Sequence, residues 1–331
     1  MTPHLAPVIL GTNRPAARFY DGGAQIDHFR GLPIGADHTP EDWVASTTSV
    51  RGQEPVGMSR LPDGRLLGDA IAGDPVGWLG APHVARWGDN PELLVKLLDA
   101  GQRLPVHAHP DDAFAATELG CNHGKAEAWF ILRPGVVHLG LREDVDRHDL
   151  ARLVQTQDTG AMLGLLHRVQ VGENDAVLVP PGTLHAIGDC VLLVEVQQPS
   201  DLSILLEWDG FAIDGRAEGH LGLGFDRALD AVTTHAMTPE QLDALVRRSA
   251  LEGPVLPGAA GAWFRLDRVG SSADFEPGFA VVIATDGSSE LRTSAATTSL
   301  ARGQTAVVPA ACGRLRVTTD GAVLVARPPA P

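Results

Sequence analysis

Gly172-Glu-Asn-Asp-Ala-Val-Leu-Val-Pro180-Pro181-Gly182-Thr-Leu-His185 reads as a short apolar strand stopped by a Pro-Gly turn that delivers a histidine immediately afterwards. Upstream, Leu104-Pro-Val-His107-Ala-His109-Pro-Asp-Asp112 sets two more histidines in an apolar setting at i and i+2. On a strand such residues leave the same face, with Cα atoms about 6.6 Å apart, and two imidazoles so placed can close on one ion at about 2.1 Å from each nitrogen. Between the two runs, Gly124-Lys125-Ala126-Glu127-Ala-Trp129-Phe-Ile-Leu132 puts Lys125 and Glu127 on one face at the head of an apolar, β-prone run. A carboxylate and a cation are thereby available to the histidines. A β-barrel brings such distant positions together, because inward-facing residues of several strands converge at its mouth.

Three runs agree in order and spacing with a known pattern. His107-Ala-His109-Pro110-Asp111-Asp112, Gly124-Lys125-Ala126-Glu127-Ala128-Trp129 and Pro180-Pro181-Gly182-Thr183-Leu184-His185-Ala186, followed by Glu195-Val-Gln-Gln-Pro-Ser-Asp201, resemble the type I phosphomannose isomerase family of the cupin superfamily. Trp43-Val-Ala-Ser46 and Pro91-Glu-Leu-Leu-Val-Lys-Leu-Leu-Asp-Ala100 extend the likeness, which covers roughly residues 40 to 235. The resemblance implies a mainly β, cupin-type double barrel (jelly roll) and a zinc ion held by His107, His109, Glu127 and His185. It also implies interconversion of mannose 6-phosphate and fructose 6-phosphate. The chain departs from the family at two places. His107 stands where the family has Gln, which keeps a site while shifting its metal preference, so other divalent metals are compatible. Leu205 stands where the family has an Arg that meets substrate, and no Lys or Arg follows before Arg216. Arg is the residue suited to bidentate phosphate recognition, so an unphosphorylated sugar enters as a substrate alongside the sugar phosphate.

Aldose-ketose interconversion takes a proton from the carbon beside a carbonyl and returns it one carbon away. A divalent ion supplies Lewis-acid polarisation, and a nearby group must carry the proton. The candidates are Lys125, expected to have its pKa lowered by the metal's charge, with Glu195 and Asp201 as the carboxylates in family positions. Two other readings compete. Three His and one Glu also serve iron or manganese oxygenases and decarboxylases of the cupin class, although those place Glu four or five residues after the second His, where this chain has Ala113 and Phe114. A non-catalytic sugar-binding cupin is the other alternative, with no basic patch or DNA-binding helix pair to support a sensor role.

The 331 residues and 44% hydrophobic content suit a packed globular chain of one large or two medium units. Sixty-one Gly and Pro residues with only 5% aromatics fit a β-rich fold packed with Val, Leu and Ala. A formal charge of −15 argues against nucleic acid or an anionic membrane as partner. The first eleven residues lack the basic and long apolar regions of a secretion signal, and no apolar run reaches about 18 residues. Cys121, Cys190 and Cys312 are odd in number and form no Cys-x-x-Cys pair, which points to a reducing, cytoplasmic setting. The expected partner is a small sugar or sugar phosphate, and the oligomeric state is left open.

Along the chain, residues 1–90 read as loops and short strands, with a helix beginning at Thr39-Pro-Glu-Asp-Trp43. Strands are expected over 93–98, 106–109, 128–132, 136–141, 176–179 and 191–196. A helical insert occupies about 145–167, where Leu150, Leu153, Val154, Met162, Leu163, Leu165 and Leu166 recur at helical spacing around Gly160. Its charges, among them Asp144, Asp146, Arg147 and Arg152, read as a solvated face. Glu218-Gly-His-Leu-Gly-Leu-Gly224 reads as a loop, and Phe225 to Val232 as a helix. Thr238 caps a second helix with Gln241 in capping-box position. Residues 1–235 are then a metal-binding cupin domain, and 236–331 a helical linker and a second, metal-free cupin-like domain. Arg302 to Gly313 repeats the strand-Pro-Gly layout without a histidine.

Overall fold

The computed structural model describes residues 6–331; the first five residues of the stretch read for a secretion signal lie outside it. The N-terminal third contains β1 (Val8–Leu10), α1 (Ala24–Arg30), β2 (Glu41–Val44), α2 (Leu67–Gly73), α3 (Pro75–Leu79) and α4 (Ala81–Trp87). It is thus more helical than the Gly and Pro punctuation suggests. Each of these helices spans seven residues or fewer, too short to show the apolar periodicity that betrays a helix in sequence. The helix expected from Thr39 is instead the strand β2. All four of its residues are buried, and it pairs antiparallel with the next strand, a tertiary gain that overrides a local capping signal.

The middle of the chain follows with β3 (Leu94–Asp99), β4 (His107–Ala108), α5 (Asp112–Leu119), β5 (Glu127–Arg133), β6 (Gly135–Leu141), α6 (Arg147–Thr156), α7 (Thr159–Gly164), β7 (Leu166–Val171), β8 (Ala176–Val179), β9 (His185–Ile187), β10 (Leu192–Gln197) and β11 (Ile204–Leu205). The expected strands are all present with ends shifted by a residue or two, and the insert is two helices capped by Asp146 and Asp158. Helix α5 was not anticipated; Asp111 caps it by accepting from Phe114 N, and Gly120 closes it in the left-handed region at φ 62°. Beyond lie α8 (Gly215–Glu218), α9 (Phe225–Ala228), α10 (Pro239–Leu245) and β12 (Val246–Arg247). The capping box of Thr238 and Gln241 is formed as expected, although the helix yields to strand at Val246.

Two antiparallel sheets enclose the central interior, one in the order β12-β8-β5-β10-β3-β2 and one in the order β11-β4-β9-β6-β7. The first has two dry faces, so its strands read as unbroken apolar runs rather than alternating ones. Its inward side chains Leu98, Trp129, Ile131, Val177, Val179 and Leu193 meet Val137, Leu139, Val169, Val171 and Ile187 of the facing sheet. Its outward side chains Val95, Leu97, Phe130, Leu178 and Val194 pack on the C-terminal part.

That part contains β13 (Gly253–Pro254), β14 (Arg265–Val269), β15 (Ser272–Phe275), β16 (Ala280–Asp286), β17 (Ser288–Arg292), β18 (Thr297–Ala301), β19 (Thr305–Val308), β20 (Leu315–Thr319) and β21 (Ala322–Arg327). They form a sheet β1-β19-β16-β21-β14-β13 and a second sheet β15-β20-β17-β18, with a separate core between them around Val282, Leu291, Val317 and Val325. The molecule is therefore mainly β, four sheet layers deep. Strand β1 adds its N-terminal residues to the C-terminal sheet, while β12 adds linker residues to the central one. Among the described residues no helix is long and apolar enough to cross a membrane.

Candidate metal centre and active site

Strand register assembles the site. In the five-stranded sheet, Leu205, His107, His185 and Leu139 are successive Cα partners across β11, β4, β9 and β6. Cross-strand partners share a face, so His107 and His185 stand side by side, their ring centroids 4.0 Å apart. His109 leaves the same face two residues on, 5.0 Å from each of the other rings. The ring nitrogens of the three lie within 4.8 Å of one another, all buried, as a group able to hold a metal ion.

Backbone carbonyls fix the rings. Nδ1 of His107 donates to Pro105 O at 2.8 Å, that of His109 to Leu202 O at 2.7 Å and that of His185 to Thr183 O at 2.8 Å. With every Nδ1 proton so engaged, each Nε2 presents its lone pair to the common centre, the usual outer-shell arrangement behind metal-binding histidines. Glu127 enters from β5, 3.1 Å from His109 Nε2 and 3.2 Å from His185 Nε2. His185 Nε2 is fully buried yet makes no hydrogen bond, so a lone pair aimed at the centre of the cluster wants a further partner. A divalent cation fits this donor set of three imidazoles and a carboxylate.

Burial pushes the His109 pKa down to about 3, with Lys125 adding to the effect, and burial with the neighbouring imidazoles holds His107 well below its ordinary value. Both are neutral, as metal ligands must be. Burial acts to raise the Glu127 pKa, but the Lys125 ammonium outweighs it and holds the carboxyl well below the usual range.

The six-stranded sheet contributes a row of alternating charges. Lys96, Glu195 and Trp129 are register partners across β3, β10 and β5, and Trp43 pairs with Lys96 from β2. Lys125 Nζ lies 2.8 Å from Glu127 Oε2 and 3.9 Å from Glu195 Oε1, and Lys96 Nζ is 3.5 Å from the same Glu195 oxygen. Lys96 also sits 4.5 Å over the Trp43 ring and 3.7 Å from Glu41 Oε2. Glu41 accepts from Tyr20 OH at 2.7 Å, Trp43 Nε1 at 2.6 Å and Arg18 Nε at 3.0 Å. Burial, and then the Glu127 charge, raise the Glu195 pKa above the ordinary carboxylate value. For Lys125 burial acts downward, but Glu127 and Glu195 outweigh it and leave the pKa raised. The lowering expected from a metal's charge is therefore opposed by two carboxylates, of which sequence spacing had placed only Glu127 on the same face as the ammonium.

The structure brings His107, His109, Glu127, His185, Lys125 and Glu195 into one interior. Asp201 stands at its entrance, 3.9 Å from Arg18 Nη2, and accepts from Arg51 N at 3.2 Å. An inner chamber of about 50 Å³ beside His107, Lys125, Glu127 and Glu195 opens past Arg18, Phe19, Asp201, Ser203 and Leu205 into an outer cavity of about 510 Å³. Sequence reasoning missed Arg18, Tyr20, Glu41, Lys96 and Arg51. Two of them carried a signal: Glu41-Asp-Trp43 repeats the spacing of Glu127-Ala-Trp129, each tryptophan donating to its glutamate, and Lys96 is the one cation in an apolar strand. The expectation that no cation precedes Arg216 near Leu205 holds along the chain but not in space, because Arg18 and Arg51 arrive from the N-terminal third. Arg216 does not line either cavity.

No protein-family model matches the chain. It is 31% identical over 172 residues to mannose-6-phosphate isomerase ManA of Bacillus subtilis, covering 50% of this chain and 53% of that one. It is 29% identical over 219 residues to the mannose-6-phosphate isomerase of Streptococcus mutans, covering 64% of each. The chain thus spans between about half and two thirds of the length of the curated relatives it matches. In fold the likeness runs end to end. The mannose 6-phosphate isomerase of Bacillus subtilis superposes with a TM-score of 0.75 at 22% identity over 98% of this chain and 100% of that one. A mutant phosphomannose isomerase from Salmonella typhimurium gives 0.74 at 16% identity over the same shares. The metal-ready histidine cluster accordingly sits in a chain whose sequence and fold are similar to those of mannose-6-phosphate isomerases.

Proposed function

We propose that the protein is a metal-dependent aldose-ketose isomerase of the mannose-6-phosphate isomerase kind, interconverting a hexose phosphate aldose and its ketose. One observation carries the reading: three imidazoles with Nδ1 tied to carbonyls turn their free nitrogens on Glu127, directly beside the Lys125, Glu195 and Lys96 row. A divalent ion, for which zinc is our choice on the imidazole-rich donor set, would be held by His107, His109, His185 and Glu127 and would supply Lewis-acid polarisation of the sugar's carbonyl.

The remaining chemistry belongs to this chain's own groups. Lys125 and Lys96 are cations held in a dry interior, suited to donating hydrogen bonds to sugar oxygens that gain negative charge as the proton leaves carbon. Glu195, held between the two ammoniums with a raised pKa, is our candidate to take the proton from one carbon and return it to the next, with Asp201 at the entrance positioning the sugar. The odd cysteine count supports a reducing, cytoplasmic setting.

Deuterium exchange at C1 and C2 tests the proposal. Metal-replete protein in D2O with mannose 6-phosphate, mannose, glucose, lyxose or their ketoses should label at least one sugar by NMR. Chelation should stop the labelling and added zinc restore it. No exchange with any aldose would remove the isomerase reading, and oxygen uptake by the iron- or manganese-loaded protein would move it to the oxygenase class.

A further inference from the structure

Four charged side chains line the outer cavity: Arg18, Arg51, Asp201 and Glu218. Arg18 is already spent. It lies between the carboxylates of Glu41 and Asp201, 3.0 and 3.9 Å away, with its side chain 15% exposed. Arg51 is different. Among the described residues its guanidinium forms no ion pair and makes one hydrogen bond, a long 3.4 Å contact from Nη2 to Leu221 O. Four of its five N–H donors are therefore left for a ligand.

The loop that carries Arg51 is fixed in place. Val50 N donates to Val56 O at 2.8 Å and Gln53 N to Val50 O at 2.9 Å, while Asp201 Oδ2 accepts from Arg51 N at 3.2 Å. Asp201 thus ties the loop to the entrance of the inner chamber and leaves the guanidinium facing the cavity. Across that entrance stands Leu205, register partner of His107, which offers no donor. A sugar with its carbonyl end at the histidines must send its other end into this outer space, because the inner chamber has room for only about 50 Å³.

We propose that Arg51 is the specificity-determining residue for that far end and that the group it takes is a phosphate monoester. This rests on the isomerase reading for the orientation of the sugar. A planar fork of unspent donors matches phosphate oxygens bidentately, and a fixed loop keeps the entropy cost of holding it low.

Arg51→Gln tests this, since an exposed loop residue can change without disturbing the core. The ratio of kcat/KM for mannose 6-phosphate to that for mannose should fall about tenfold or more, through KM, and inorganic phosphate should become a correspondingly weaker competitive inhibitor. Adding Leu205→Arg to Arg51→Gln should recover part of the ratio from the facing wall. An unchanged ratio and unchanged phosphate inhibition would overturn the role of Arg51 and leave the isomerase standing. Wild-type preference for free mannose with no phosphate inhibition would also overturn it. Were the wild type to turn over neither sugar, the isomerase reading would fall. Calorimetry with inorganic phosphate would still decide on Arg51: binding lost in Arg51→Gln supports the assignment, and no binding to wild type defeats it.

Discussion

His107 and Leu205 are the two positions at which this chain leaves the family pattern it resembles, and they are Cα partners on adjacent strands. A cation at 205 would stand one strand spacing from His107, whose imidazole burial already keeps neutral, so an apolar partner suits a site with a third histidine. The proton-carrying role proposed for Glu195 is tested at this scale. Glu195→Gln should lower kcat by about 10²-fold or more while zinc content, read by elemental analysis, stays at the wild-type level. His185→Ala should do the opposite, losing bound metal before any question of chemistry arises. If Glu195 works as the base, its ionised form is the active one. The acid limb of the kcat/KM profile then lies above 4.5, the ordinary carboxylate value, because burial and Glu127 raise its pKa, and the rate falls as pH drops through that raised value. An acid limb at or below 4.5 would take the role away from Glu195.

Among the elements, the turn between β7 and β8 shows how a single carboxylate fastens the linker to the central sheets. Asp175 accepts from Gly172 N at 2.8 Å, Ser249 N at 2.9 Å and Arg248 Nη1 at 2.6 Å, so it closes its own turn and pins the segment after α10 and β12. Burial acts to raise its pKa, but the two backbone donors and Arg248 prevail and hold it below 3.8. A depressed native pKa gives stability that is present above the unfolded value and lost as pH falls through the native one. Asp175→Ala should therefore cost about 2 kcal/mol in urea unfolding at pH 7, and the gap between variant and wild type should narrow as pH drops below 3.8. The ligand-bearing strands were legible because ligands and apolar runs coincide in them. Helix α5 was not, since its apolar residues form no stripe and it is set by the Asp111 cap and Gly120.

At the scale of the whole molecule, the largest apolar core lies between the central and C-terminal sheets rather than inside either sandwich. Val95, Phe130, Leu178 and Val194 meet Leu266, Val281, Val307 and Leu324 there, with Ile26 and Phe29 of α1 at the edge. Arg30 locks the same junction: its Nε is 2.6 Å from Asp42 Oδ2 on β2, and its Nη1 donates to Gly303 O at 3.3 Å. Both side chains are almost wholly buried, and removing one leaves the other's charge stranded. Arg30→Ala should cost about 3 kcal/mol or more, and near-UV and far-UV circular dichroism should still report one coincident transition for the two halves. Two separate transitions would mean that residues 236–331 fold as an independent domain. The sequence by itself determined the β character, the order of the ligand strands and the identity of the metal-binding histidines, because strand periodicity and ligand chemistry are properties of short segments. Only the tertiary structure decided which residues surround those ligands. Arg18, Glu41, Arg51 and Lys96 come from distant stretches whose roles depend on cross-strand register and loop anchoring, and the packing of sheet on sheet that joins the halves has no local periodicity to announce it.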